Sequence, residues 1–217
     1  MSRYCVFCEI VERREPAIIL HEDDDTLVFE NVLGWTRVML LAVSKLHRTQ
    51  SELWSDLGQV GRVAVEMGKE HAPEGFRILS NFGPYGMQSQ SHGHLHILSG
   101  TEIALERRHD PPRSIVDIVR APEREMRRTD HAIFYDERAI VPEAPLTALV
   151  VPNDGESGQT EFWSDIREFG EEIVDVGWES SENGFRLLSN FPSEQSLPGG
   201  EKAHVHLLGG AFLGHYA

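Results

Sequence analysis

The sequence is short of positive charge and of cysteine, and it contains no long apolar run. Lys and Arg number 20 against 35 Asp and Glu, giving a formal net charge of −15 over 217 residues. A surface that grips nucleic acid needs a basic face, so this balance argues against a nucleic-acid partner. It leaves room for a small phosphorylated metabolite, because one local pocket can outweigh the global field. The longest apolar run, Val38 to Val43, is far shorter than the roughly 20 residues that cross a bilayer, so no membrane partner is expected. The opening Met1-Ser2-Arg3-Tyr4-Cys5 lacks the apolar stretch of a signal peptide, and a cytoplasmic location is expected. The two cysteines are Cys5 and Cys8. In a cytoplasmic chain such a pair reads as metal-binding or redox-active rather than as a structural disulfide.

What is present is a repeat. Residues 75–82 read Gly-Phe-Arg-Ile-Leu-Ser-Asn-Phe, and residues 184–191 repeat them with only Leu187 in place of Ile78. Upstream, Glu52, Trp54, Ser55 and Asp56 recur as Glu161, Trp163, Ser164 and Asp165 at the same offset. Downstream, the segment His94 to Gly100 recurs as His204 to Gly210 with one residue inserted. Matching blocks in one order mark a duplicated fold. The seam falls in the charged stretch from about Glu106 to Arg128, which holds Pro111, Pro112 and Pro122. The expected organisation is a first half over 1–105, a linker over 106–128 and a second half over 129–217.

In the first half, Ile18–His21, Leu27–Asn31, Val38–Val43, Phe76–Asn81 and Gly93–Leu98 read as strands. One long helix is expected from about Glu52 to His71, with Leu53, Leu57, Val60, Ala64 and Met67 as its apolar stripe. Thr49 and Glu52 fit a capping box at its start. The second half shows a matching helix with Phe162, Ile166, Phe169 and Ile173 on one face. Few helices among many short strands point to α+β halves with antiparallel sheets.

The chemistry concentrates in His92-Gly93-His94-Leu95-His96. Side chains alternate along a strand, so these His share one exposed face with about 6.6 Å between neighbours, while Leu95 and Ile97 turn into the core. Three readings are open: a solvated strand that happens to be His-rich, a catalytic metal site, and covalent catalysis by an imidazole. A neutral His is a good nucleophile at phosphorus near neutral pH when a hydrogen bond at its other nitrogen fixes the tautomer. The preceding loop, Asn81 to Ser89, favours the last reading. Gly83 and Gly86 let backbone N–H groups approach an anion, and Asn81, Gln88 and Ser89 add neutral donors.

These residues resemble the histidine triad superfamily, in particular its nucleoside phosphoramidase branch. The signature is His-apolar-His-apolar-His followed by apolar residues, here His92 to Leu98. The stretches Gly75–Gly100 and Leu27–His47 align with that branch without gaps, and Cys5 to Ile10 is similar to the opening of many bacterial members. The resemblance covers nearly all of residues 1–100 and, more loosely, 130–217. It implies a small α+β unit with a five-stranded antiparallel sheet and a long helix, which normally pairs as a homodimer with a continuous sheet. The duplication would supply both units in one chain, as an intramolecular pseudo-dimer and a monomer, as in tandem members such as galactose-1-phosphate uridylyltransferase.

By the same resemblance, His94 is the nucleophile that attacks the α-phosphate of a nucleotide, forming a nucleotidyl-histidine intermediate. His96 and Ser89 contact the phosphate and leaving group, and Asn81 holds the phosphate and ribose side, with Gln88 and Gly86 completing the substrate-binding loop. The expected activity is therefore a nucleotide hydrolase or nucleotidyltransferase, acting on a phosphoramidate, a dinucleoside polyphosphate or a related substrate. The alternative is a nucleotide-binding or regulatory module without turnover. Three departures stand out: the ribose-contacting Asp of the family falls on Asn31, the Pro before Lys45 is Ser44, and Gly93 replaces a bulky apolar residue.

Cys5-x-x-Cys8 has zinc-ligand spacing, although two unpaired thiols in a first helix would read alike. Members with this Cys pair often bind structural Zn2+ with two further His, which here are His47 and His92. The second half is altered. His204 and His206 match His94 and His96, but Lys202 replaces the first His, and Gly155 lies near where His47 would fall. The loop from Phe191 to Glu201, with Pro192, Pro198, Gly199 and Gly200, lacks an in-register Gln-Ser pair. Asp136 is assigned to the ribose-contacting position. The C-terminal Gly209 to Tyr216 resembles a family tail that reaches a neighbouring active site, which makes His215 and Tyr216 candidates to line a pocket. The second half is thus expected to complete the first site rather than to duplicate it.

Overall fold

The computed structural model describes residues 4–99, 119, 121–137, 144–153, 157–193 and 202–214. Helix α1 (Val6–Val11) leads into β1 (Ile19–Glu22), β2 (Thr26–Glu30) and β3 (Val38–Ser44). Helices α2 (Gln50–Trp54) and α3 (Gly58–His71) precede β4 (Gly75–Phe82) and β5 (His94–Ser99). A short 3-10 turn (Pro122–Arg124) then opens β6 (Glu125–Arg128), β7 (Ala132–Asp136) and β8 (Leu146–Pro152). Helices α4 (Gln159–Phe162) and α5 (Arg167–Ser180), then β9 (Phe185–Pro192) and β10 (Val205–Gly209), complete the order. Among the described residues no helix is long and apolar enough to cross a membrane.

All ten strands form one sheet in the order β1-β2-β3-β5-β4-β9-β10-β8-β7-β6, antiparallel at every pairing. The expected α+β class with antiparallel pairing is what forms, as a single ten-stranded sheet. At its centre β4 meets β9 over a full ladder from Gly75–Pro192 to Phe82–Phe185. Two stacked ring pairs lock this ladder: Phe76 on Phe191 with centroids 4.6 Å apart, and Phe82 on Phe185 at 4.4 Å. Helices α2, α3, α4 and α5 cover one face. Trp54 and Trp163 meet edge-to-face at 5.7 Å beneath them. A Cβ on Gly61 of α3 would lie 2.8 Å from the Trp163 carbonyl oxygen, and one on Gly170 of α5 would lie 2.4 Å from that of Trp54. Only glycine allows so close a crossing, so the helices of the two halves interlock.

Two expectations need correction. The long helix is broken into α2 and α3, and its counterpart into α4 and α5. At each break a serine hydroxyl takes a helix carbonyl that the next turn would have used, Ser55 on Glu52 at 3.1 Å and Ser164 on Glu161 at 2.6 Å. The resulting bend turns Trp54, Leu57, Trp163 and Ile166 into the core, and the expected stripe residues remain buried. The capping box of Thr49 and Glu52 is present. The stretch expected as linker contains a strand, β6, paired with β7; residues 106–118 and 120 of it lie outside the described residues.

Since both halves share one core, Phe185→Ala should destabilise the protein by about 3–5 kcal/mol. Denaturant unfolding followed by fluorescence and by circular dichroism should keep a single coincident transition. Two separate transitions would show that the halves unfold independently.

Candidate functional site

Cross-strand register determines what shares the face opposite the helices. His96 of β5 lies between Leu41 and Leu79, Leu79 opposes Leu188, and Leu188 opposes His206, which faces Leu149. Directly opposed residues project to the same side of a sheet. One face therefore carries His94, His96, Asn81 and Arg77 from the first half and His204, His206, Asn190 and Arg186 from the second. This face was expected to be exposed at the His strand, yet His92, His94 and His96 are all buried. Over His92 and His94 the cover is α1, whose Phe7 and Ile10 pack with Leu27, Phe29, Leu41 and Val43. The Phe7 ring stands edge-on to His94 with centroids 5.2 Å apart. His92 itself precedes β5 rather than belonging to it.

His94 is fixed through backbone and ring alike. Strands β4 and β5 are paired from Arg77–Leu98 to Leu79–His96. Beyond that register the Gln50 amide holds His94: its Oε1 accepts from His94 N–H at 2.9 Å and its Nε2 donates to the His94 carbonyl at 2.9 Å. The ring Nδ1 lies 2.8 Å from the His92 carbonyl oxygen, which can only accept. Nδ1 therefore carries the proton, and the neutral ring keeps its lone pair on Nε2. Burial holds His94 below the ordinary histidine range against that hydrogen bond. Burial first, then repulsion between the protonated forms of His96 and His94 and the charge of Arg186, hold His96 well below it. The two rings lie edge-to-face at 4.9 Å. A base that stays neutral, in one tautomer, with a lone pair on its other nitrogen can act as a nucleophile.

Gly93, a departure from the family pattern, now has a reason. A Cβ there would lie 2.6 Å from the Thr49 carbonyl oxygen and 2.9 Å from Leu53 Cβ, so the start of α2 rests directly on this residue.

At the N-terminal edge of the same strand, Cys5, Cys8, His47 and His92 offer ligand atoms that all lie within 4.8 Å of one another. The Sγ–Nδ1 separations are 3.5 Å for Cys5–His92, 3.2 Å for Cys8–His47 and 3.6 Å for Cys8–His92. Tetrahedral zinc with ordinary bond lengths would set them at about 3.5 Å. His92 Nε2 donates to the Ser44 carbonyl at 2.9 Å, which leaves Nδ1 free to face the thiols. Burial pushes His92 down to about 4. Burial and the hydrogen bond with Cys5 push Cys8 up to about 11. The donor set fits a metal ion: two thiols that a dication would ionise and two imidazoles able to stay neutral.

The loop before β5 is arranged differently from expectation. Gln88 spends its amide internally, accepting from Gly83 N–H at 2.9 Å and donating to the Gln90 carbonyl at 2.9 Å. Gly86 is required by packing, since a Cβ would lie 2.1 Å from the Phe185 carbonyl oxygen. Both residues shape the loop. Ser89 stays exposed, and Asn31 Oδ1 caps its own turn by accepting from Leu33 N–H at 3.0 Å.

The second half keeps part of this design. His204 Nδ1 donates to the Lys202 carbonyl at 2.7 Å, and Gln159 brackets the His204 backbone at 2.7 and 3.0 Å. Burial and His206 push His204 down to about 3. The assignment of Asp136 to the ribose-contacting position is corrected. Asn31 N–H bonds the Met39 carbonyl as Glu137 N–H bonds that of Thr147, so Glu137 is the counterpart of Asn31. Its buried carboxylate accepts from His206 Nδ1 at 2.8 Å. Residues 154–156, 194–201 and 215–217, and with them Gly155, most of the altered loop, His215 and Tyr216, lie outside the described residues.

Sequence reasoning passed over two residues. Gln50 carried a signal: it stands two positions before Glu52, as Gln159 does before Glu161, inside the repeat. Arg186 lay within the repeated Gly-Phe-Arg block, where a strand residue reads simply as core.

No protein-family model matches the chain. A HIT-like protein of Synechococcus elongatus, itself uncharacterized, is 34% identical over 110 residues, spanning 48% of this chain and 96% of the relative. A 14 kDa zinc-binding protein of Brassica juncea is 29% identical over 106 residues, 45% of this chain and 94% of the relative. An adenylylsulfatase of Arabidopsis thaliana is 29% identical over 106 residues, 45% of this chain and 72% of the relative. With one relative matched almost end to end at that identity, the chain belongs to the histidine triad (HIT) family.

Proposed function

We propose that the protein is a nucleotide hydrolase or nucleotidyltransferase that works through a nucleotidyl-histidine intermediate at His94. One observation carries this reading: the buried His94 ring, clasped by Gln50, donates Nδ1–H to a backbone carbonyl and leaves Nε2 as a lone pair. In the first step Nε2 attacks the α-phosphorus. The P–N bond forms, the bond from phosphorus to the leaving group breaks, and its electron pair departs with that group, which is then protonated. The His92 carbonyl stabilises the positive charge that develops on the imidazole. In the second step water, or another acceptor hydroxyl, attacks phosphorus and loses its proton. The P–N bond breaks and neutral His94 returns. His96 and Ser89 contact the phosphate and leaving group, and Asn81 donates to the phosphate. Phosphoramidates, dinucleoside polyphosphates and sugar nucleotides are the substrates to screen, and the name of the Arabidopsis relative adds adenylyl sulfate.

Cys5, Cys8, His47 and His92 would hold structural zinc, a reading supported by their spacing and by the name of the Brassica relative. Zinc there would charge-balance the two thiolates and tie the N-terminus to the start of the catalytic strand. The two halves form an intramolecular counterpart of the family homodimer, supported by relatives that span about half the chain. Of the two, the first is the catalytic half. In the second, Lys202 stands in place of the first histidine, and the loop from Phe191 to Glu201 lacks an in-register Gln-Ser pair.

His94→Ala should lower kcat/KM by at least about 1,000-fold while the protein stays folded. His204→Ala, assayed by initial rates on the same substrate, should cost less than about tenfold. Undiminished activity of His94→Ala would overturn the assignment, and a larger loss at His204 would reverse the halves. Elemental analysis should find about one zinc per chain, and Cys8→Ser should lose it and melt at lower temperature; a metal-free protein of full stability would exclude the site. Light scattering should give a monomer near 24.5 kDa.

A further inference from the structure

Register across the central β4–β9 ladder sets Asn81 directly opposite Arg186, and Arg77 directly opposite Asn190. Each arginine reaches across the seam between the halves. Arg186 Nε donates to Asn81 Oδ1 at 2.8 Å, and Arg77 Nε donates to Asn190 Oδ1 at 2.9 Å. Arg186 is 1% exposed, and burying a guanidinium is costly unless its charge and donors are used. A guanidinium has donors only, so it selects the oxygen of the asparagine amide and sets which way that amide points. Asn81 Nδ2, with its two N–H donors, is thereby turned away from the seam.

We propose that Arg186, from the second half of the chain, is a positioning residue for the site of the first half: it locks the Asn81 amide with its N–H donors presented to the substrate phosphate. This rests on the proposed function for the identity of the ligand as a nucleotide. Arg77 cannot substitute within the chain, because it holds Asn190 on the other side of the seam. The same arginine reaches the loop before the catalytic strand, with a guanidinium nitrogen 3.5 Å from the Gly86 carbonyl oxygen. Two further bonds tie that loop to the second half: Tyr85 N–H to the Asn183 carbonyl at 2.9 Å, and Leu213 N–H to the Tyr85 carbonyl at 3.0 Å. The positive charge of Arg186 also favours a neutral His96. The second half thus contributes to the first site from outside its own altered histidine pair.

The test uses the full chain and the variants Arg186→Gln, Arg186→Lys, Asn81→Ala and the mirror control Arg77→Gln. The side-chain Nδ2 signals of Asn81 in a nitrogen-15 correlation spectrum are assigned by their loss in Asn81→Ala. They should move in Arg186→Gln and stay in place in Arg77→Gln. AMP affinity by calorimetry, and kcat/KM where a substrate is found, should fall about 10- to 100-fold in Arg186→Gln. The loss in Arg186→Gln combined with Asn81→Ala should not exceed that of Asn81→Ala alone, because one residue acts through the other. Arg186→Lys keeps the charge but loses the planar donor, so it should move the Asn81 signals too, and it replaces Arg186→Gln if that variant does not fold. Unmoved Asn81 signals, equal losses of AMP binding in the two arginine variants, or additive losses in the double variant would overturn the proposal. Absence of turnover in the wild type would defeat the proposed reaction and leave the spectral and AMP results to decide the role of Arg186.

Discussion

The antiparallel contact between β4 and β9 is the constraint on which the rest of the molecule depends. It joins two five-strand runs into one sheet, stacks Phe76 on Phe191 and Phe82 on Phe185, and sets Arg77 and Arg186 against Asn190 and Asn81. The aromatic pairs supply apolar burial at the centre of the molecule, where water is excluded. The arginine–asparagine pairs use that same exclusion, since a hydrogen bond to a charged group is stronger in a dry, low-dielectric setting. Register does both at once: alternation along β4 sends Phe76, Ile78 and Phe82 towards the helices, and Arg77, Leu79 and Asn81 towards the histidines.

Burial of the histidine face imposes its own demands. An imidazole taken out of water resists protonation, and its ring nitrogens need partners. His92 finds the Ser44 carbonyl and faces the thiols, His94 finds the His92 carbonyl, and His204 finds that of Lys202. Each partner is a backbone acceptor, which selects a tautomer without adding a charge. His206 differs, because Glu137 supplies a carboxylate. A single position, Asn31 in one half and Glu137 in the other, therefore gives two otherwise similar frameworks different local charge.

The two halves also divide the work of support. Gln50 and Gln159 hold the backbone of His94 and His204 from within their own halves, through side chains that begin α2 and α4. Asn81 and the loop from Gly83 to Ser89 are held from across the seam. The backbone of His94 is thus set from within its own half, and its surroundings from across the seam. An altered second half can remain indispensable to the first for that reason, whatever chemistry its own histidines perform.

Strand positions, the repeated blocks, the capping box of Thr49 and Glu52, the alternation that puts His94 and His96 on one face, and the grouping of Cys5 and Cys8 with His47 and His92 were all legible in the sequence. Each depends on local spacing, or on a resemblance carried by contiguous residues. Other features were not legible. The break between α2 and α3 depends on where Trp54 and Leu57 must turn to meet the other half. The burial of His92 and His94 depends on α1 folding back across the sheet. The placement of Glu137 rather than Asp136 beside His206 depends on ladder register, where a slip of one residue reverses the face. The close approaches that require Gly86 and Gly93, and the reach of Arg186 to Asn81, join residues far apart in the chain. Local pattern determined which residues face together; only the tertiary structure decided what each of them faces, because partners across a sheet are fixed by pairing and not by sequence distance.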